Sequence, residues 1–283
     1  MKKIFGYFYL LPVIVIVGVL IIFPLLWTGY ISFQSKQIGG EATFVGLKNY
    51  IDLIKNGDFF DALWKSIYFT GTSIFFKLLL GLVAALILNQ NFKGRNIIRT
   101  WLFIPWTIPR FATAIIFLWF FRQSGGLDLM LRQLGIVSPY WFGPKFVMPT
   151  MIFVNVWKGF PFFMVSILAG LQAIPSEIYE AATVDGANRL QIFRHITMPL
   201  LKNVILIATA LSTIWTISEF DVIFLMTGGG PGTASQVIPI LTYVKAFRQY
   251  DLGQATALAM LSLPIFIALI ISLIKLTPRE GER

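Results

Sequence analysis

The chain has 283 residues, of which 57% are hydrophobic and 13% charged, with no cysteine and a formal net charge of +10. Soluble domains carry about 25% charged residues, so most of this chain belongs in lipid or against other apolar helices. The lack of cysteine excludes disulfides, a thiol nucleophile and a thiolate metal site, and the excess Lys and Arg reads as charge flanking membrane spans rather than as a nucleic-acid surface.

Six spanning helices are predicted, at about residues 8–31, 67–89, 101–121, 148–171, 203–224 and 253–274. Each is near the ~20 apolar residues that cross a ~30 Å hydrocarbon core. Before the first span stand Lys2 and Lys3, followed by an uncharged run from Ile4 to Ser35. That run is too long for the apolar core of a signal peptide, about 7–15 residues, so it reads as a retained span. The outer loop 32–66 contains a short interfacial helix around Asn49–Ile54.

The second span carries Lys77, which can snorkel or pair with an acid, and the third carries Arg110 after Pro105 and Pro109. Those prolines are expected to break the third helix, leaving Arg110 to snorkel. In the fourth span Pro161 is expected to remove a backbone hydrogen bond, and Gly159 to let a ligand or helix approach. Irregular backbone at membrane depth is tolerated where it lines a cavity. The fifth span ends with Glu219 and Asp221; intramembrane charges are costly and point to function or to ion pairing.

With both termini inside, the cytoplasmic pieces carry Lys2, Lys3, Lys93, Arg95, Arg99, Arg189, Arg194, Lys202, Lys275, Arg279 and Arg283, more densely than the longer outer loops carry theirs. This places the polar island between spans four and five in the cytoplasm. There, Pro175 and the acidic Glu177 and Glu180 suit a helix N-terminus. Ala181 and Ala182 leave one face small, and Asp185-Gly186 supplies a break. Leu190, Phe193 and Ile196 continue at three-residue steps, and Pro199 marks entry into the fifth span. His195, the only histidine, reads as a polar surface residue.

Glu180-Ala181-Ala182, then Gly186 after three residues, then Ile196-x-Met198-Pro199 after nine more, resembles the EAA motif of binding-protein-dependent ABC importer permeases, with Met198 in place of Leu. Further segments are similar to the carbohydrate-uptake, MalF-like branch: Leu10-Leu11-Pro12 with Phe23-Pro24, Phe44–Tyr50, Phe220-Asp221, Thr227–Pro231 and Gly253-x-Ala255-x-Ala257.

The resemblance implies an all-α polytopic membrane protein, a single permease domain over residues 1–283, with a cytoplasmic EAA coupling loop at 175–199. It implies an inner-membrane permease subunit of an ATP-driven sugar importer in a bacterial or archaeal plasma membrane, both termini cytoplasmic. Its expected partners are a second permease in a heterodimer, two cytoplasmic ATPase subunits and an extracytoplasmic solute-binding protein. The ATPase-coupling residues would be Glu180, Ala181, Ala182, Asp185, Gly186, Ile196 and Pro199. The substrate pathway would be Lys158, Gly159, Phe162, Trp215, Thr216 and Glu219, with helix packing the competing role for Phe162 and Trp215. No P-loop sequence occurs, so ATP and Mg are expected on the ATPase subunits, with no cofactor in this chain and no catalysis by it. The alternative from the residues alone is an ion- or proton-coupled secondary transporter using Glu219 or Asp221.

Overall fold

A computed structural model of the chain describes residues 2–275; Arg279 and Arg283, expected in the C-terminal inner segment, lie outside the described residues. In chain order the elements are α1 (Lys2–Val17), a π-turn (Gly18–Ile22), α2 (Phe23–Ser32), β1 (Gln34–Lys36), β2 (Ala42–Phe44), α3 (Lys48–Lys55), α4 (Asp58–Leu88), α5 (Arg95–Thr107), α6 (Arg110–Phe121) and α7 (Gly126–Gln133). Then follow α8 (Val147–Gln172), α9 (Ser176–Val184), α10 (Arg189–Ile192), a π-turn (Phe193–Thr197), α11 (Met198–Ile217), α12 (Asp221–Thr227), α13 (Ile238–Tyr243), a π-turn (Val244–Arg248) and α14 (Leu252–Lys275). Among the described residues, six helices are long and apolar enough to cross a membrane.

The span boundaries move for local reasons. α4 starts at Asp58, well before residue 67, because Asp58 and Asp61 complement the positive end of the helix. The expected third span is broken at Ile108, whose extended backbone (ψ 130°) is imposed by Pro109, whereas Pro105 stays within α5. By length and composition the candidate crossing stretch in this region is Arg110–Gln133, where 101–121 was expected. α8, by contrast, continues unbroken through Pro161, so the expected irregular backbone is absent there. The break lies instead between α11 and α12, at Ser218–Phe220.

The described residues form two compact units, 2–63 with 237–266, and 64–236 with 267–275. The first unit is built on Leu53, Phe59 and Ala62 packed with Ile238, Leu241, Ala257 and Leu258. Asn49 ties the end of the first span to the β-hairpin, its amide donating to the carbonyls of Ser32 (2.9 Å) and Gln34 (2.8 Å). Gly253 sits against that same Gln34 carbonyl and Asn49, where a Cβ does not fit. The π-turn residue Lys245 meets Asp58 at 2.8 Å.

The second unit has its core where α4, α8 and α11 meet, at Ala85, Leu88, Phe163, Met164, Ile167, Leu168, Leu201 and Ala208. Gly81 lies against the backbone of Phe163 and Met164, the close approach that small residues permit between membrane helices.

Candidate functional site

Two sites in the second unit contain the residues singled out by sequence. The first is the 175–199 segment, expected from the sequence to couple to an ATPase. Pro175 precedes the helix with extended backbone (ψ 139°), so α9 begins at Ser176 rather than at the proline. α9 ends in a Schellman turn: Ala187 N–H donates to Ala182 O (3.0 Å) and Gly186 N–H to Thr183 O (3.1 Å). Gly186 takes the left-handed conformation, φ +82°, which a side chain resists. Asn188 and Gln191 then cap α10 reciprocally, at 2.9 and 2.7 Å, a start signal the sequence reading missed.

Glu180, Ala181, Asp185, Gly186 and Pro199 are exposed, Ile196 is half-buried, and Ala182 is buried. His195 is exposed beside the Gln191 carbonyl (3.1 Å) and lines a shallow concavity with Asp185, Gly186 and Ile196. Val184, which the sequence reading did not single out, and Leu190 are 88% and 72% exposed.

The second site is a cavity of about 160 Å³ bounded by α4, α8, α11 and the two helix breaks. Lys158, Gly159, Trp215, Thr216 and Glu219 all line it. Phe162 is not among its lining residues. Its ring stacks on Trp106 (centroids 5.3 Å) and meets Trp215 edge-on (5.0 Å), completing an aromatic wall behind the cavity. Thr216 and Glu219 converge even though α11 ends at Ile217, because Glu219 N–H still donates to the Thr216 carbonyl (3.1 Å). The Glu219 carboxylate is buried. It accepts from Val222 N–H (3.3 Å) and faces the Asn155 amide (3.4 Å).

Lys77, Asn155, Ser212, Trp106 and Arg110 also line the cavity and were not assigned to it from the sequence. Lys77 is buried, and its ammonium donates to Thr216 Oγ1 at 2.9 Å. Gly159 gives room to this side chain, since a Cβ on residue 159 would run into Lys77. Lys158 donates to the Ile108 carbonyl at the break before α6. Arg110, expected to snorkel, pairs with Asp221 at 3.6 Å, joining the first residues of α6 and α12. An uncompensated charge at these depths would have been the signal for Lys77.

The cavity thus sets indole and phenyl rings on one side against an ammonium, a carboxylate, an amide and hydroxyls on the other. That combination suits a ligand with apolar C–H faces and hydroxyl edges.

Residues 77–279 match the family described as binding-protein-dependent transport system inner membrane component. The chain belongs to that family. It is 37% identical over 265 residues to the trehalose/maltose transport system permease protein MalF of Thermococcus litoralis, covering 93% of this chain and 88% of that one. To the sulfoquinovosyl glycerol transport system permease protein SmoG of Agrobacterium fabrum it is 34% identical, over 89% of this chain and 83% of that one. In fold it is similar to a chain of a bacterial ABC transporter that imports the acidic polysaccharide alginate, with a TM-score of 0.85 at 23% identity, covering 99% and 97% of the two chains. The chain is therefore a multi-pass inner-membrane transport component of a binding-protein-dependent ABC system, not an enzyme, and the secondary-transport alternative falls.

Proposed function

We propose that this chain is one of two permease subunits of an ATP-driven sugar importer, and that the cavity at Lys158, Gly159, Trp215, Thr216 and Glu219 is its half of the sugar path. The observation that carries this is the juxtaposition of the Trp106–Phe162–Trp215 rings with Glu219, Asn155 and the Lys77–Thr216 pair around one space. Two relatives named for sugar or glycoside transport support the substrate class. At about 160 Å³ the cavity is smaller than the ~300–1,000 Å³ of a complete small-molecule site, which favours a second permease supplying the rest.

In this reading Glu180, Ala181, Ala182, Asp185, Gly186, Ile196 and Pro199 present the coupling surface to one of two cytoplasmic ATPase subunits. ATP and Mg are held by those subunits and no cofactor by this chain. Both termini lie in the cytoplasm, and an extracytoplasmic binding protein delivers the sugar. ATP binding draws the ATPases together, α9 and α10 move with them, and the spans exchange outward and inward access; no covalent bond is made or broken here.

The test is uptake of radiolabelled trehalose and maltose into proteoliposomes holding the chain, its partner permease, the ATPase and the binding protein. Uptake is expected to require internal ATP and the binding protein and to ignore an uncoupler. Uptake that survives loss of the ATPase and stops with an uncoupler would overturn the proposal.

A further inference from the structure

Along α4, Ser66, Thr70, Ser73 and Lys77 recur at steps of four, three and four residues, so they share one helical face. All four are buried, at 1%, 5%, 0% and 4% exposure. A buried polar stripe in a spanning helix is costly unless its groups are satisfied. Hydroxyls in membrane helices usually bond back to the carbonyl one turn earlier. Thr213, Thr216 and Thr227 do so in this unit, at 2.7, 2.6 and 2.7 Å. Thr70 and Ser73 do not, and their oxygens are buried with no hydrogen-bond partner among the described residues. The stripe starts next to Lys65, which donates to the Thr233 carbonyl (2.7 Å) in the loop after α12. It ends at Lys77, whose ammonium is part of the cavity wall. From Ser66 to Lys77 is ~16 Å of helix axis at ~1.5 Å per residue, about half of a ~30 Å hydrocarbon core. The stripe therefore has the length needed to join one membrane face to a cavity at mid-depth.

We propose that the Ser66–Thr70–Ser73 face of α4 is one wall of a hydrated passage connecting the outer face of the membrane to the cavity, closed in this conformation and opened during the transport cycle. The proposal rests on the reading of the cavity as the sugar site and of both termini as cytoplasmic, which puts the Ser66 end outside. Two hydroxyls held without protein partners then have a purpose: in the open state they are met by water and by the hydroxyls of the passing ligand, and in the closed state they bind nothing that would hold the passage shut.

The chain has no cysteine of its own, so single substitutions Ser66→Cys, Thr70→Cys and Ser73→Cys can be read without background. Leu78→Cys serves as control, its parent side chain packing against the hydrophobic core. The assembled transporter in right-side-out vesicles is treated from outside with a membrane-impermeant methanethiosulfonate, once at rest and once with binding protein, ATP and vanadate. Buried thiols react only on opening. The expected result is modification of the three seam positions about ten-fold faster than at Leu78→Cys in at least one state. Ser73→Cys, nearly isosteric, keeps the test open if Thr70→Cys fails to assemble. Seam cysteines that react no faster than Leu78→Cys in both states, in vesicles that still take up sugar, overturn the passage. Failure of the unsubstituted chain to support sugar uptake at all would instead overturn the transport reading on which it rests.

Discussion

The side chain of Lys77 occupies the space that a Cβ on residue 159 would need, and its ammonium reaches across to Thr216 Oγ1 at 2.9 Å. One glycine on α8 thus admits a cation from α4 to a hydroxyl on α11. Gly159→Ala is expected to displace the end of the lysine from Thr216 and to cost ~1–3 kcal/mol through the lost buried hydrogen bond, with loss of uptake. The double variant Gly159→Ala with Lys77→Ala should regain thermal stability but not transport. Equal melting temperatures for the single and double variants would show that the glycine serves something other than the lysine.

Glu219 accepts its hydrogen bonds in a buried setting, and Trp215 is the half-exposed ring of the aromatic wall. Loss of one buried hydrogen-bonding partner costs about 1–3 kcal/mol, or about one to two decades of affinity. Glu219→Gln should raise the sugar concentration for half-maximal uptake by that factor, and Trp215→Ala should raise it more, with the ATPase still co-purifying in both. Unchanged uptake parameters in both variants would return these side chains to helix packing.

The Arg110–Asp221 pair is 44% and 53% exposed, so its direct contribution is small, about 0.2–1 kcal/mol. A double-mutant cycle with Arg110→Ala and Asp221→Ala, read by thermal unfolding in detergent, should return a coupling in that range. A larger coupling would mean that the pair is closed off from water in the assembled transporter.

The left-handed backbone at Gly186 and the exposed Val184 and Leu190 lie on the proposed coupling surface. Gly186→Trp should strain the Schellman turn, and Glu180→Lys should reverse a charge on the face offered to the partner. Both are expected to leave the protein in the membrane while co-purification of the ATPase and sugar-stimulated ATP hydrolysis fall together. Leu190→Asp should do the same without backbone strain. Wild-type hydrolysis in all three would remove this loop from coupling.

A single cysteine at residue 188 is expected to be labelled by an impermeant reagent in inside-out vesicles, and one at residue 233 in right-side-out vesicles. The opposite pattern would invert the topology, and with it the direction assigned to the polar face of α4.

The six spans were legible because a bilayer demands long apolar runs and few charges interrupt them. Pro109 announced the break before α6 through steric rules that act on its immediate neighbour. The break at Ser218–Phe220 carries no proline or glycine and could not be read in the same way. Pro161 gave the opposite error: α8 holds its course through it, with neighbouring Phe163 and Met164 packed at the centre of the core. Of the cavity, Lys158, Gly159, Trp215, Thr216 and Glu219 were recoverable from the family resemblance. Lys77 was not, because its partner Thr216 is 139 residues away and no local pattern joins them. Asn155 shows a similar gap: it approaches Glu219 from 64 positions earlier in the chain.

Gly253 presses on the Gln34 carbonyl and on Asn49, and this joint fixes an order of assembly. The first 63 residues share a unit with residues 237–266 and not with the stretch between them. During synthesis the N-terminal span, the hairpin and α3 must therefore wait, unfinished, while some 170 intervening residues are made and inserted, about ten seconds or more at ~5–20 residues per second. The unit closes only when the final helix leaves the ribosome, so a chain cut short after α12 would lack its first fold as well as its last helix.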